Sequence, residues 1–338
     1  MAAARRRAAA ALLLLGLLLP TVFAPTPAAA EVTPVFTIKD KRIAESSGLA
    51  TDTGRGLYWT VNDSGGGAVA YGLADDGSVQ GTLSFRADVR DVEAVAVHDN
   101  HLYVADIGDN NASRNFVTVY VFNDPTPDNR TVSYQSYDFR YPDGPRDAET
   151  LLINSAGRLF LVSKEGKGGI YAAPAQPSRQ GVNQLQRVGD APAYVTDGVV
   201  LPSDGRLALR TYVSLEVMDA GSYDVTARAA LPFQPQGESI TTTLDGRALL
   251  VGSEGTSSAV YRIPIPTKVA AVPSGSASPP RSAAPTTAPA DPGTTPPASG
   301  SDTEGRSRRG TLLALGLAAA LAVIAGVIVF AAPSRRRR

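Results

Sequence analysis

A strand–turn–strand pattern that occurs five times is the feature of this 338-residue sequence that most restricts its fold. Residues 91–110, DVEAVAVHDNHLYVADIGDN, show it most clearly, because two apolar runs flank the pair Asp99-Asn100. Period-two apolar runs joined by a short Asp/Asn turn predict a β-hairpin. The other four copies lie at residues 47–63, 149–165, 197–212 and 238–254.

The spacing of the copies predicts a β-propeller. Repeats of about 40–50 residues with β content are typical of propeller blades. No window has the 3.6-residue apolar period that a helical repeat requires. The first residues of the copies, separated by 46, 56, 48 and 41 positions, are Ser47, Glu93, Glu149, Asp197 and Glu238.

Strand counting gives the number of blades and the way in which the ring closes. Each hairpin is followed by two further strand candidates, which makes the four strands of one blade, but the last copy is one strand short. Residues 35–38, Val-Phe-Thr-Ile, are expected to supply that strand and so remove an exposed sheet edge. The predicted fold class is therefore all-β, a propeller of five four-stranded blades closed by an N-terminal strand.

The two ends of the chain predict export and a membrane anchor. Residues 1–30 combine three arginines, a short apolar run and an Ala-x-Ala site, as a signal peptide does. The propeller is assigned to residues 31–267, and a Pro/Ser/Thr/Ala-rich disordered stalk to residues 268–310. Residues 311–332 are uncharged and long enough to cross a bilayer. The basic tail, residues 333–338, places the C-terminus in the cytoplasm and the propeller on the extracytoplasmic side.

Composition restricts the partners. The chain has no cysteine and a formal net charge of zero. Because arginines are concentrated in the two terminal segments, the propeller between them is acidic, which argues against nucleic acid as a partner. The partners that stay open are a cell-wall polymer, a small ligand or another protein, bound by a monomeric propeller.

The first residues of the hairpins are candidate metal ligands. Blade repetition places Ser47, Glu93, Glu149, Asp197 and Glu238 around one axis, where their carboxylates repel one another unless a cation offsets them. Oxygen ligands without His or Cys suit Ca²⁺. The alternative is that these side chains cap the strands and accept backbone N–H bonds.

Residues that end the second strands of the hairpins extend the candidate site. Candidate ligand-binding residues at these ends are Asp63, Asp109, Lys164, Arg210 and Glu254. If the site is catalytic, the candidates for the general base that acts beside a bound cation are Asp147, Glu149 and Glu165.

Five phrases of the sequence resemble a family of exported bacterial propellers described as TolB-like or SdiA-regulated-like, and as esterase-like relatives of phytases. They are ESSGLA (45–50), NDSG (62–65), ADIGDN (105–110), YPDGPRDAE (141–149) and QGES (236–239). This resemblance covers nearly all of residues 34–264 and implies a propeller and export, without a defined activity. The acidic ring also resembles, in arrangement, the axial calcium site of five-bladed calcium-activated nucleotidases.

Two classes of function therefore stay open. The first is a binding module, displayed on a stalk, whose mouth recognises a ligand or partner. The second is a metal-dependent hydrolase of phosphate or ester bonds, in which a bound cation polarises the substrate. The absence of His and Cys from the acidic ring leaves no obvious nucleophile, which favours binding.

Overall fold

A computed structural model describes residues 33–63 and 65–270 of the chain. These residues form 22 strands in five sheets and contain no helix, so the predicted all-β propeller with five blades is confirmed. All the strands belong to one compact unit that begins at Pro34. Within the described residues, no helix has the length and apolar character needed to cross a membrane. The predicted signal peptide, transmembrane helix and basic tail lie outside those residues.

Blades 1 to 3 each run outward from an inner strand through three antiparallel neighbours. Blade 1 consists of β2 (Ser46–Asp52), β3 (Leu57–Asn62), β4 (Val69–Leu73) and β5 (Val79–Phe85). Blade 2 consists of β6 (Val92–His98), β7 (His101–Asp106), β8 (Val117–Asn123) and β10 (Gln135–Arg140). Blade 3 consists of β11 (Ala148–Ile153), β12 (Leu159–Ser163), β13 (Gly168–Ala172) and β15 (Gln186–Ala191).

Blades 4 and 5 complete the ring. Blade 4 consists of β16 (Val195–Val200), β17 (Leu207–Thr211), β18 (Ser214–Met218) and β19 (Val225–Ala230). Blade 5 consists of β20 (Ser239–Thr242), β21 (Ala248–Gly252), β22 (Ser258–Pro264) and the N-terminal strand β1 (Pro34–Ile38). The pairing of β1 with β22 confirms the predicted closure, which joins the two ends of the propeller within one sheet.

Two short parallel strands, which the sequence pattern does not predict, connect neighbouring blades. β9 (Arg130–Val132) follows β8 of blade 2 but pairs with β5 of blade 1. β14 (Val182–Gln184) follows β13 of blade 3 but pairs with β10 of blade 2. Val132 therefore belongs to the sheet of blade 1, whereas residues 135–140, directly after it, belong to blade 2.

The hydrophobic core is divided among the five interfaces between blades, and each interface contains one cluster of buried side chains. The single tryptophan, Trp59, is completely buried between blades 1 and 2 and donates its indole N–H to Asp52 Oδ2 at 3.1 Å. Phe36 and Ile38 of β1 pack against Tyr58 and Leu49 of blade 1. Successive side chains of a strand point to opposite faces, so the continuous buried runs of strands such as β3 and β11 supply both faces of a sheet with packing surface.

The inner strands line the axis. β2, β6, β11, β16 and β20 each contact the next in turn, and β20 also contacts β2. Beyond blade 5, the chain turns back along β19, where Arg228 exchanges backbone hydrogen bonds with Lys268 and Ala270. Ordered pairing therefore extends to residue 270, three residues past the predicted boundary of the propeller.

Candidate functional site

The open ends of the five hairpins form one acidic end of the axis, which we call the mouth. In each hairpin the start of the inner strand lies beside the end of the second, as in the pairs Val92–Asp106 and Ala148–Ser163. Carboxylates from different blades interact there. Burial raises the pKa of Glu93 well above its usual value, and the charges of Glu149 and Asp63 raise it further. The prediction that the hairpins open at one end of the axis is confirmed.

Strand register shows that only three of the five predicted ligands occupy equivalent positions. Glu93 and Glu149 are the extra residues of β-bulges, each directly before the next paired residue, and Glu238 also directly precedes its paired neighbour Ser239. All three are buried, with 4%, 4% and 5% of their surface exposed. Bulges turn a side chain away from its ordinary direction and are common beside functional sites.

Blades 1 and 4 have other residues at the glutamate position. The equivalent residues are Gly48, which has a φ of 73°, and Thr196. Ser47 therefore precedes the position by one residue and Asp197 follows it by one, so the prediction of five equivalent ligands is wrong for these two. The physical reason is that blades 1 to 4 all have a β-bulge at this position, and its extra residue is Gly48 in blade 1 and Thr196 in blade 4, which the apolar pattern of the strands does not reveal.

Ser47 and Asp197 hold inner strands together. Ser47 Oγ lies 2.8 Å from the carbonyl oxygen of Glu93 and 3.1 Å from its Oε2, to both of which it can donate. Asp197 Oδ1 accepts the N–H of Gly198 at 2.7 Å, and its Oδ2 accepts that of Ile240, in the next blade, at 2.8 Å. Asp197 is therefore a carboxylate that caps strands by accepting backbone N–H groups, which was the alternative to a metal ligand.

Arg210 is a buried connector between blades 4 and 5. It has no exposed surface, and its Nη1 donates to the carbonyl oxygens of Ser239 and Gly252 at 2.9 and 2.7 Å. Its Nη2 donates to Gln234 Oε1 at 2.7 Å. Burial lowers the pKa of the guanidinium to about 10, against the raising effect of Glu238. The prediction that Arg210 contacts a ligand is wrong, because a side chain shielded in this way cannot reach one.

Lys164 supplies the positive charge of the mouth. Its Nζ forms an ion pair with Glu149 and lies 5.2 Å from the centroid of the Tyr212 ring. Burial lowers the pKa of Lys164, but the charges of Glu149 and Glu238 outweigh it, so the pKa lies well above its usual value. Glu149 therefore has a fixed cation as its partner, although burial keeps the pKa of this carboxyl well above its usual value. Tyr212 was not predicted from the sequence, and the only sign of its role there is its position directly after the second strand of blade 4.

Asp63, Asp91 and Glu93 form the densest carboxylate group of the mouth. One oxygen of each lies within 4.8 Å of the others, a separation at which the three could share a cation. Burial raises the pKa of Asp91 to about 7, and the charge of Asp63 raises it as well. In this cluster, Glu93 was predicted as a metal ligand and Asp63 as a ligand-binding residue. Asp91 was not predicted, and its only signal in the sequence is its position two residues before Glu93.

Gly108 provides space for this cluster. A β-carbon at position 108 would lie 2.5 Å from Asp91 Oδ2 and 2.6 Å from Glu93 Oε1, closer than such contacts occur. Both carboxylates therefore pack against the backbone at position 108, and a side chain there would push them away. The chemistry of the cluster is that of a hard-cation site, because it offers only carboxylate oxygens.

Two other predicted residues organise the loop beside the mouth. Asp109 accepts the N–H groups of Ser113 at 2.9 Å and Arg114 at 2.8 Å, and so closes a turn. Its own N–H donates to Asp147 Oδ1 at 2.9 Å. Burial raises the pKa of Asp147 above its usual value. Asp109 is thus a turn-capping residue, whereas Asp147 is a half-buried carboxylate at the edge of the mouth.

Glu165 and Glu254 have different surroundings. Glu165 Oε2 accepts from Arg146 Nη1 at 2.7 Å and lies 3.1 Å from Ser163 Oγ. Glu254 accepts from the amide of Gln236 at 2.7 Å. Burial raises the pKa of Glu254 to about 8, with a further contribution from the charge of Glu238. Of the predicted catalytic residues, Glu149 and Glu165 are held in ion pairs, and Asp147 has none among the described residues.

Comparison with known proteins identifies no family for this chain. No protein-family model matches the chain, and no curated protein matches it. Two solved structures that it resembles are a gluconolactonase from Xanthomonas campestris and a streptogramin B lyase. The first is 13% identical, with a TM-score of 0.42, and the match covers 68% of this chain and 89% of the gluconolactonase. The second is also 13% identical, with a TM-score of 0.39, covering 68% of this chain and 72% of the lyase. At this identity the likeness concerns the propeller fold alone.

Proposed function

We propose that this protein is a binding module whose propeller mouth holds a divalent cation, most suitably Ca²⁺, and through it an oxygen-bearing ligand. The observation that carries the proposal is the group of Asp63, Asp91 and Glu93, with ligand oxygens within 4.8 Å of one another. Ca²⁺ takes six to eight oxygen ligands. Three carboxylates therefore leave coordination positions for water or for the oxygen atoms of a ligand.

The surroundings of the cluster support this proposal in two ways. Gly108 keeps a side chain away from Asp91 and Glu93. Glu238, which is buried and contributes to the same acidic surface, has an oxygen with no hydrogen-bond partner among the described residues. Mutual repulsion among buried carboxylates disfavours the ionised cluster, and a shared cation would replace repulsion with coordination.

Binding is preferred to hydrolysis because two of the three predicted general bases are held in ion pairs. Lys164 neutralises Glu149, and Arg146 neutralises Glu165. Neither histidine is placed there, since His98 and His101 flank the turn at the opposite end of their hairpin. A mouth that holds a cation but has two of its three candidate bases, Glu149 and Glu165, in ion pairs is suited to recognition.

The cation is tested by thermal unfolding of the full-length protein in Ca²⁺ and in EDTA. At a calcium concentration of about one hundred times Kd, binding to the folded state adds about 2.7 kcal/mol. For a domain of this size we expect Tm to rise by roughly 5–10 °C. Asp91→Asn should abolish this difference, and Glu216→Gln, in blade 4 and away from the mouth, should preserve it.

The same variant has a pH-dependent effect on the metal-free protein. The pKa of Asp91 in the folded state, about 7, lies above its usual value of 3.8, so ionising it destabilises the fold increasingly as the pH rises from about 4 to 7. In EDTA, Asp91→Asn should therefore raise Tm at pH 8, and the gain should shrink toward pH 4. Equal melting in Ca²⁺ and EDTA, together with a lowered Tm for the variant at pH 8, would show that the carboxylates are only structural.

Display at the cell surface is the second part of the proposal, and it depends on the terminal segments of the sequence. Residues 1–30 are proposed as a signal peptide and residues 311–332 as a single membrane span, with a cytoplasmic C-terminus. Protease added to intact cells is expected to release a fragment from residue 31 to about residue 300. A propeller that is cut only after lysis would contradict this topology.

A further inference from the structure

Exposed apolar and aromatic side chains are concentrated at the mouth end of the propeller. Among the described residues, nine large side chains of this kind are exposed. Five of them lie in the loops that follow the second or fourth strand of a blade, and both of these strands run toward the mouth. These five are Phe116, Tyr194, Tyr212, Val213 and Phe233. Exposed apolar surface that is gathered in one place marks an interaction site.

Two of these side chains, Tyr194 and Tyr212, flank the loop that follows β12 in blade 3. The centroid of the Tyr212 ring lies 5.2 Å from Lys164 Nζ. The N–H of Tyr194 donates to the carbonyl oxygen of Glu165 at 3.0 Å, and a β-carbon at Gly166 would lie 3.4 Å from Tyr194 Oη. Both tyrosines therefore contact the same three-residue loop, and we call this pair the aromatic rim.

Tyr194 is held in a backbone conformation that costs the fold free energy. Its φ of 57° lies in the left-handed region, which a bulky side chain rarely adopts. Because its side chain is 47% exposed, packing offsets little of this cost. Glycine would occupy the position without strain. A strained and half-exposed tyrosine beside the mouth indicates that its ring has a role other than stability.

Tyr212 connects the aromatic rim to the carboxylates of the mouth. Its side chain is 40% exposed. Burial raises the pKa of Tyr212, and the charge of Glu238 raises it further. Burial also raises the pKa of Glu238, and the charge of Asp63 adds to that effect. Tyr212, Glu238 and Asp63 are therefore near one another, so a ligand that covers the Tyr212 ring also reaches the Asp63–Asp91–Glu93 cluster.

The charges beside the rim restrict the ligand. Lys164, the cation next to Tyr212, is already paired with Glu149, and burial keeps the pKa of Glu238 and Glu254 above its usual value although Lys164 opposes it. Carboxylates at this surface repel an anionic ligand when they ionise. A cationic ligand would compete with the metal ion of the cluster instead of coordinating to it. The ligand that fits is uncharged, with hydroxyl oxygens for the cation and apolar ring faces for the tyrosines.

We propose that the mouth binds an uncharged saccharide, whose C–H face packs on Tyr194 and Tyr212 and whose hydroxyls coordinate the cation of the cluster. This inference rests on the proposed binding function and names its ligand class. The face of an aromatic ring is negative, whereas the C–H groups on the face of a sugar ring are slightly positive, so the two attract each other. Neighbouring hydroxyls of a sugar offer the oxygen ligands that Ca²⁺ requires beyond three carboxylates.

The test is binding of the full-length protein to an array of immobilised neutral oligosaccharides, built from glucose, galactose, mannose, arabinose or N-acetylglucosamine, in Ca²⁺ and in EDTA. Saturable binding to at least one of them in Ca²⁺ is expected. Tyr212→Ala should weaken that binding by about tenfold or more, because it removes a stacking ring, whereas Tyr212→Phe keeps the ring and should bind within about threefold of the wild type.

Tyr194→Gly separates a binding role from a structural one. Because glycine adopts the left-handed conformation without strain, this variant should weaken saccharide binding by about tenfold without lowering Tm. It also tests the proposal if Tyr212→Ala does not fold. Tyr134→Ala is the matched control, since Tyr134 is exposed to a similar degree, 37%, but directly precedes β10 at the end of blade 2 opposite the mouth. The control should bind the saccharide as the wild type does.

Failure of this inference is distinguishable from failure of the cation proposal. The inference is overturned if no oligosaccharide of the array binds saturably, or if Tyr212→Ala and Tyr194→Gly both bind as tightly as the wild type. A protein that melts higher in Ca²⁺ but binds no saccharide keeps the cation and loses the ligand class. Saccharide binding that is equal in Ca²⁺ and EDTA, and sensitive to both tyrosines, supports the ligand class and contradicts coordination through the cation.

Discussion

Arg210→Met is expected to lower the free energy of unfolding by about 3–5 kcal/mol, the largest effect of any single substitution considered for this propeller. Arg210 has no exposed surface and donates to the carbonyl oxygens of Ser239 and Gly252 and to Gln234. Methionine fills similar volume but donates to none of these three acceptors, of which the Gly252 oxygen keeps the N–H of Glu238 at 3.3 Å. It also removes a positive charge that interacts with Glu238 and Asp197.

Urea unfolding measures this effect, with a fall in the midpoint and an unchanged m-value as the expected result. Arg206→Met is the control, because Arg206 and its partner Asp204 are 28% and 41% exposed and such a surface ion pair contributes about 0–1 kcal/mol. A loss below about 1 kcal/mol at position 210 would show that blades 4 and 5 are held together without this connector.

Deletion of residues 33–40 is expected to abolish the cooperative fold. The deletion removes β1 and leaves β22 as an exposed edge, which invites pairing with other chains. It also removes Phe36 and Ile38, which are buried against blade 1. Truncating buried Phe or Ile to Ala already costs about 2–5 kcal/mol each, which together is comparable with the whole stability of a domain.

Size-exclusion chromatography and urea unfolding of the deletion variant check this expectation, with aggregation or the absence of a cooperative transition as the result. Two single substitutions refine the test. Ile38→Ala should destabilise by about 2–5 kcal/mol, whereas Val35→Ala, whose side chain is 47% exposed, should stay within about 0.5 kcal/mol. A deletion variant that unfolds like the parent would mean that β1 does not close the ring.

The local sequence was sufficient to predict the architecture. Five strand–turn–strand copies, two further strands after each and one extra segment at residues 35–38 define five blades and their closure. The reason is physical: the direction of side chains alternates along a strand, and turns need particular residues, so both leave a pattern in neighbouring positions. The same pattern placed the carboxylates of the hairpins at one end of the axis.

Which of these carboxylates lie together, and which are already bound to other groups of the protein, depends on tertiary packing. Strand register makes Glu93, Glu149 and Glu238 equivalent, the first two as bulge residues, and offsets Ser47 and Asp197, although the apolar pattern is the same. Contacts between blades, formed by residues far apart in the chain, supply Asp197 with a backbone N–H and bury Arg210. Such contacts depend on how the sheets pack against one another, and no local pattern records that packing.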